Sequence, residues 1–230
     1  MRVEQAVALL GRTGLFATLD KSSLARLAER TVERYYRKGQ IVFYQGDPGE
    51  SLFIVNSGLV KVFVSSEEGD EMVLVTLGPS ETFGELSLID QGARSASAQT
   101  LEQTSLLSLS RTTLLEVMRE NPSLSEALLR SLGSVVRRLT EQASDLVFLD
   151  LHGRVAKLLL ALADERGEQE DGLIVLDLHM TQSDLASMVG GSRQSVNQIL
   201  RTFERRTYLE IHGRKVIIKQ PELLRRRGSL

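Results

Sequence analysis

Thr181-Gln182-Ser183-Asp184-Leu185-Ala186-Ser187-Met188-Val189-Gly190-Gly191-Ser192-Arg193-Gln194-Ser195-Val196-Asn197 contains two helix starts and one break. Thr181 with an acid three residues on is a capping box, a signature of a helix N-terminus. Leu185, Ala186 and Val189 supply the apolar face of a short helix, and Gly190-Gly191 then breaks it and permits a sharp turn. Ser192 is a suitable cap for a second helix, Arg193–Arg205, whose buried face is Val196, Ile199, Leu200 and Phe203. Two short helices joined by a glycine turn are the layout of a helix-turn-helix. Tyr208–Ile211, a turn at Gly213 and Val216–Lys219 predict a two-stranded wing. A helical hairpin unrelated to nucleic acid is the competing reading; cap, turn, polar outer face and wing together count against it.

The outer face of the second helix carries Arg193, Gln194, Asn197 and Gln198. Arginine pairs bidentately with guanine and Gln or Asn with adenine, so these side chains suit base edges. Arg201, Arg205 and Arg206 fall nearer the phosphates. The candidate DNA-binding set is Thr181, Gln182, Ser192, Arg193, Gln194, Ser195, Asn197, Gln198 and Arg201. Charge runs the same way. The 230 residues carry a net −2, but residues 1–150 hold 15 Lys and Arg against 20 Asp and Glu, a balance of −5. Residues 181–230 hold 10 basic against 4 acidic residues, a balance of +6 that suits a polyanion. Arg225-Arg226-Arg227 either touches phosphates or is a solvated end.

Upstream, Asn121-Pro122 opens a long helix, with Asn as N-cap and Pro tolerated at the first helical position. Leu128, Leu132, Val135, Leu139, Gln142, Leu146 and Leu149 recur at alternating spacings of four and three, the pattern of a coiled-coil seam with one polar member. At about 1.5 Å per residue such a helix runs roughly 40 Å. The alternative is a helix lying on its own domain's core. The narrow seam, opposite Arg137, Arg138, Glu141 and Asp145, favours a homodimer through the central helix.

Between Gly39 and Ser110 the runs Ile41–Tyr44, Leu52–Asn56, Leu59–Val64, Met72–Leu77 and Leu106–Leu109 are short and apolar, separated by turn residues. They predict a sandwich or barrel, preceded by a helix near Ser22–Glu29. Val155–Ala163 reads as a helix and Gly167–Gly172 as a polar loop. Within the β-region stands Phe83-Gly84-Glu85-Leu86-Ser87, followed by Ala93-Arg94-Ser95-Ala96. A glycine lets the backbone approach a phosphate, and a short helix after it aims N–H groups at the anion. Arg94 can contact phosphate oxygens with charge assistance, Glu85 can accept from a ribose 2′-hydroxyl, and Ser95 can donate to phosphate. The competing reading is a glycine turn with a surface ion pair between Glu85 and Arg94.

The 83–96 stretch resembles a phosphate-binding cassette of cyclic-nucleotide domains. The 181–197 stretch resembles the recognition motif of the CRP/FNR (cyclic AMP receptor protein) family, and Phe148-Leu149-Asp150-Leu151-His152-Gly153-Arg154 resembles that family's hinge. The resemblance spans nearly the whole chain. It implies an α+β architecture: a cyclic-nucleotide-binding β-roll (jelly roll) over residues 1–120, a central dimerisation helix over 121–150, and a winged helix-turn-helix over 151–230. The implied function is a bacterial transcription regulator, dimeric on double-stranded DNA with a palindromic operator, with cAMP or another cyclic nucleotide as effector. The implied ligand-binding set is Gly84, Glu85, Leu86, Ser87, Arg94 and Ser95, completed by Leu139 and Thr140. Leu139 stands where the family has a threonine that meets the base, with Thr140 at the next position. A regulator of the same fold that binds DNA without effector, its cassette structural, is the second reading. At the recognition helix the cyclic AMP receptor type carries Arg-Glu-Thr-Val, whereas this chain has Arg193-Gln194-Ser195-Val196.

The chain has no cysteine, which removes thiolate metal sites, cysteine-ligated iron–sulfur clusters and a cysteine nucleophile. All three histidines (His152, His179, His212) lie outside the β-roll, so haem ligation there is not expected. No metal site, nucleophile–base pair or nucleotide-hydrolysing loop is visible, and the expectation is a protein that is not an enzyme. No signal peptide or bilayer-spanning stretch is visible, so no membrane partner and a cytoplasmic location are expected. Activation would add a surface for RNA polymerase, which no motif here identifies.

Overall fold

The computed structural model describes residues 1–170 and 173–229. They group into two compact units: Met1–Val64 with Leu74–Arg137, and Ser65–Val73 with Arg138 onward.

The first unit opens with α1 (Val3–Arg12) and α2 (Lys21–Glu29). Two antiparallel four-stranded sheets follow. One has the order β1-β8-β3-β6 and the other β2-β7-β4-β5. The strands are β1 (Val32–Tyr36), β2 (Ile41–Phe43), β3 (Ser51–Ser57), β4 (Val60–Ser65), β5 (Glu71–Leu77), β6 (Thr82–Phe83), β7 (Ser97–Thr100) and β8 (Thr104–Ser110), with the short α3 (Leu86–Asp90) after β6. Residues of both sheets (Phe53, Val60, Phe83, Ala98 and Leu106 among them) share one apolar core. Leu52 and Ile54 of β3, with Leu107 and Leu109 of β8, point the other way. They pack with α1, α2, α4 (Arg111–Glu120) and the start of α5 (Pro122–Phe148). Since side chains alternate along a strand, β3 and β8 are buried on both faces; Leu52–Val55 of β3 is a continuous apolar run, whereas β8 has buried Ser105 and Ser108 among its leucines.

The predicted strands and helices all form, within a few residues of their expected bounds, as a β-roll. Five elements of this unit lie outside those expectations: α1, and four that carry little local signal. β1 is largely exposed, β6 has two residues, β7 reads Ser-Ala-Gln-Thr, and α4 follows β8 with no intervening residue.

The helix α5 starts at Pro122, as its ring geometry favours. Asn121 does not cap it. Its side-chain amide donates to the Val117 carbonyl at 3.0 Å, closing α4, and its Oδ1 accepts from Ser23 at 3.5 Å. The expected seam also shifts. Leu128 is buried in the first unit's core and Leu149 in its own chain. Leu129, Val136, Leu139 and Leu146 are exposed apolar positions on one line, with Ala143 exposed and Leu132 half-buried between them; Val147 and Phe148, at the end of α5, are exposed off that line. The positions on the line repeat at 3-4 spacing one residue on from the predicted line at three places (Leu129, Val136 and Ala143 against Leu128, Val135 and Gln142), because the helix has a second apolar face already used by its own core.

In the second unit, α6 (Leu151–Arg166) begins two residues after α5, its start capped by Asp150, whose Oδ1 accepts from Gly153 N at 2.8 Å. The polar stretch after it is not a loop throughout. Glu168–Glu170 forms β9, paired with β10 (Leu173–Asp177), while residues 171–172 of the expected loop lie outside the described residues. Then come α7 (Gln182–Val189), α8 (Arg193–Arg205), β11 (Leu209–His212), β12 (Lys215–Ile218) and α9 (Pro221–Gly228). The wing is therefore part of a four-stranded sheet, order β11-β12-β10-β9, rather than a free pair. Its third strand backs β12, and the fully exposed β9 has no apolar residue to announce it.

Candidate ligand cassette and DNA-binding surface

The turn before β3 and the segment before β7 are laced together. Gly46 N donates to the Arg94 carbonyl at 2.9 Å, and Arg94 N donates to the Asp47 carbonyl at 2.9 Å. This places the Arg94 side chain inside the roll, 6% exposed. Nη1 donates to the Gly84 carbonyl and to Ser87 Oγ, both at 2.8 Å, and Nη2 to the Ser51 carbonyl at 2.7 Å. The guanidinium lies 4.2 Å from the Phe43 ring centroid and 5.7 Å from that of Phe53. Nε is buried without a partner among the described residues. Burial pushes the Arg94 pKa down, and the charges of half-buried Glu85 and of Asp47 pull it back.

Every hydrogen-bond acceptor of Arg94 is therefore neutral. The Glu85 charge acts on Arg94, while the guanidinium's hydrogen bonds among the described residues go to Gly84, Ser87 and Ser51. A buried cation is costly unless an anion meets it, and the facing rings offset only about 0.5–2 kcal/mol. The arrangement is poised for an anionic group.

Gly84 has φ +83°, and a Cβ there would lie 2.6 Å from Arg94 Nη1. A Cβ at Gly49 would lie 2.0 Å from Ser87 Oγ. Gly84→Ala is accordingly expected to lose about 1–2 kcal/mol from backbone strain alone and to displace Arg94. Urea denaturation and ligand titration of the same variant check both effects. Arg111 Nε donates to the Leu88 carbonyl at 2.7 Å, holding the end of α3. Leu86 and Ser95 are exposed at the cassette surface and Ser87 is buried. Gly49, Ser51 and Phe43 escaped the sequence reading. The Gly46–Gly49 segment looked like punctuation, and only the fold brings it to Arg94. Leu139 and Thr140 are exposed on α5, in the part that groups with the second unit.

In that unit, Thr181 and Asp184 form the expected capping box, with Thr181 N donating to Asp184 Oδ2 at 2.8 Å and Asp184 N to Thr181 Oγ1 at 3.2 Å. Gly190 ends α7 at φ +62°. Ser192 caps α8, accepting from Ser195 N at 3.1 Å, and the two hydroxyls are 2.8 Å apart. Ser192 and Ser195 thus organise the start of α8. Val196, Ile199, Leu200 and Phe203 are all buried, as their spacing requires, which turns Arg193, Gln194, Gln198 and Arg201 outward, exposed, with Asn197 half-buried. Gln182 is half-buried in the first turn of α7. Of the terminal arginines, Arg225 pairs with Glu222 and Arg227 Nη2 lies 3.1 Å from Asp150 Oδ2, while Arg226 is exposed. Among the described residues no helix is long and apolar enough to cross a membrane.

A β-roll with a buried arginine awaiting an anion, a long helix and a winged helix-turn-helix define a class: transcription regulators that carry a cyclic-nucleotide-binding domain. Residues 33–121 match the family profile of the cyclic nucleotide-binding domain, and residues 153–227 that of the Crp-like helix-turn-helix domain. The chain is 38% identical over 220 residues to the CRP-like cAMP-activated global transcriptional regulator of Mycobacterium tuberculosis, covering 96% of this chain and 98% of that protein. It is 35% identical over 191 residues to the cyclic AMP receptor protein of Thermus thermophilus, covering 83% and 85% respectively. Its fold is similar to that of the c-di-GMP-responsive global regulator CLP of Xanthomonas campestris, with a TM-score of 0.76 and 26% identity over 86% of this chain and 99% of that one. The chain belongs to the CRP/FNR family of DNA-binding transcription regulators.

Proposed function

We propose that the protein is a homodimeric regulator whose affinity for a palindromic operator is set by cyclic AMP bound at the cassette around Arg94. The observation that carries this reading is the burial of the Arg94 guanidinium against neutral acceptors only. A cyclic phosphate supplies the missing anion, at about twice the strength of a neutral hydrogen bond. Glu85 accepts from the ribose 2′-hydroxyl, Ser95 donates to phosphate, and the amides of Gly84, Leu86 and Ser87 line the same end. Leu139 and Thr140 complete the site at the base, Thr140 supplying the hydroxyl that Leu139 lacks. Cyclic AMP is the effector named for the Mycobacterium tuberculosis and Thermus thermophilus relatives, and c-di-GMP that of the Xanthomonas campestris neighbour. Calorimetric titration of nucleotide-stripped protein with cyclic AMP, cyclic GMP and c-di-GMP separates these. Micromolar binding of cyclic AMP alone is the expected result. Heat from none of the three, with undiminished operator binding, moves the protein to the effector-independent reading.

On DNA, the exposed α8 residues Arg193, Gln194 and Gln198, with Asn197, read base edges in the major groove. Arg201 meets phosphate, and the capped helix starts at Thr181-Gln182 and Ser192-Arg193-Gln194-Ser195 present N–H groups to the backbone. The two recognition helices of a dimer must sit about 34 Å apart to enter successive major grooves. Gln194 replaces a glutamate that accepts from cytosine, and an amide prefers adenine. Binding-site selection is therefore expected to recover a changed base at one position of each half-site. Gln194→Glu should shift it to cytosine, a preference of about 1–3 kcal/mol. An identical consensus for both proteins would refute the assignment.

A further inference from the structure

Carbonyl groups at the ends of two helices converge on one side chain. Arg154, in the first turn of α6, donates from Nε to the Val189 carbonyl at the end of α7, at 2.8 Å. Its Nη1 donates to the carbonyl of Leu149, just beyond α5, at 3.1 Å, with the Leu146 carbonyl at 3.5 Å. The last carbonyls of a helix lack intrahelical partners and carry partial negative charge. A planar guanidinium answers several of them at once, as an ammonium does not. Lys157, one turn on, holds α5 to α6 only: its Nζ lies 2.6 Å from Glu141 Oε1 and 2.8 Å from Asp145 Oδ2. Arg154 is bonded to α7 as well.

Packing at the same junction points the same way. A Cβ on Gly190 would lie 3.3 Å from Leu146 Cδ2, and one on Gly191 2.8 Å from Leu151 Cδ1. Gly190 needs its positive φ to end α7, whereas Gly191 has no such need. What its missing side chain makes room for is Leu151. The turn of the helix-turn-helix thus rests directly on the break between α5 and α6.

We infer that Arg154 is a positioning residue that fixes this turn to the last turn of α5, so that α7 and α8 follow α5 instead of swinging about Leu149-Asp150. The covalent route from α5 to α7 runs through α6, β9 and β10. Arg154 bypasses it with a link one side chain long. In an effector-controlled regulator this link carries the effector's influence to the recognition helix; that consequence rests on the function proposed above, and the clamp itself does not.

Two measurements on the full-length protein test the inference, each with Arg154→Gln and with Arg154→Lys, which keeps the charge but not the fork. The first is amide hydrogen exchange followed by mass spectrometry. Segments 143–149 and 186–192 are expected to exchange faster together in Arg154→Gln, by roughly tenfold, the worth of one hydrogen bond to a charged group. Arg154→Lys should fall between wild type and Arg154→Gln. Segments 52–55 and 199–203 should exchange as in wild type. Unchanged exchange at the junction, or acceleration everywhere, would overturn the inference, the second outcome showing a merely structural role. The second measurement is the gain in operator affinity on adding cyclic AMP, typically about 5- to 150-fold for coupled sites. It should collapse toward 1 in Arg154→Gln while cyclic AMP affinity without DNA is retained. A full gain in that variant also overturns the inference. Absence of any gain in wild type refutes control by cyclic AMP, and hydrogen exchange then decides on Arg154 alone.

Discussion

Arg94→Ala is expected to show no calorimetric binding of cyclic AMP where wild type saturates, and no thermal shift with the nucleotide. The cause is the loss of the buried cation that the cassette surrounds with neutral acceptors. Hydrogen bonds from a charged donor are worth about 1.5–3 kcal/mol each, and two to one phosphate correspond to a fall in affinity of roughly 150-fold or more. The same loss appears in stability. A ligand at about 100 times its Kd stabilises by about 2.7 kcal/mol, which in a chain of this size raises Tm by roughly 5–10 °C. Wild type should show that rise and Arg94→Ala should not. Equal shifts in the two proteins would place the ligand elsewhere.

Asp at both Val136 and Leu139 is expected to convert the protein to a monomer by sedimentation and to reduce operator affinity by about 10²–10⁴, the loss of linked half-sites. Both side chains are exposed on the isolated chain, at 62% and 41%, so the substitutions spare its own core. In a parallel pair of α5 helices each residue faces its counterpart, bringing carboxylates together where apolar surface had been buried. Burying unpaired charge costs several kcal/mol per ion. Monomeric variant protein that still binds a single half-site weakly would show that the α8 surface is intact. A dimer that survives both substitutions would remove α5 as the interface.

The helix-turn-helix was legible almost residue by residue, because each of its devices is local. A capping box spans four residues, a glycine turn two, and an amphipathic helix shows its buried face by spacing alone. Val196, Ile199, Leu200 and Phe203 are buried where that spacing puts them. The cassette was half legible. Gly84, Glu85 and Arg94 stood out as residue types suited to phosphate, but Arg94 was equally readable as half of a surface ion pair. Its burial against Ser51 and Phe43 depends on contacts across more than 40 residues of chain. The 4-3 spacing on α5 mixes positions of two faces, Leu128 belonging to the chain's own core and Leu139 being exposed. Spacing identifies apolar stripes; it does not say which stripe the chain's own core has taken.

The sequence by itself therefore determined the architecture, the position of the recognition helix and the chemistry offered to DNA, since helix caps, turns and hydrophobic periodicity act between near neighbours. Tertiary structure alone decided that Arg94 is buried against neutral acceptors, that β9 and β10 extend the wing into a four-stranded sheet, and that Arg154 joins the ends of α5 and α7. Each of these depends on groups distant in sequence becoming neighbours. Burial and hydrogen bonding then set their energies, which no local pattern encodes.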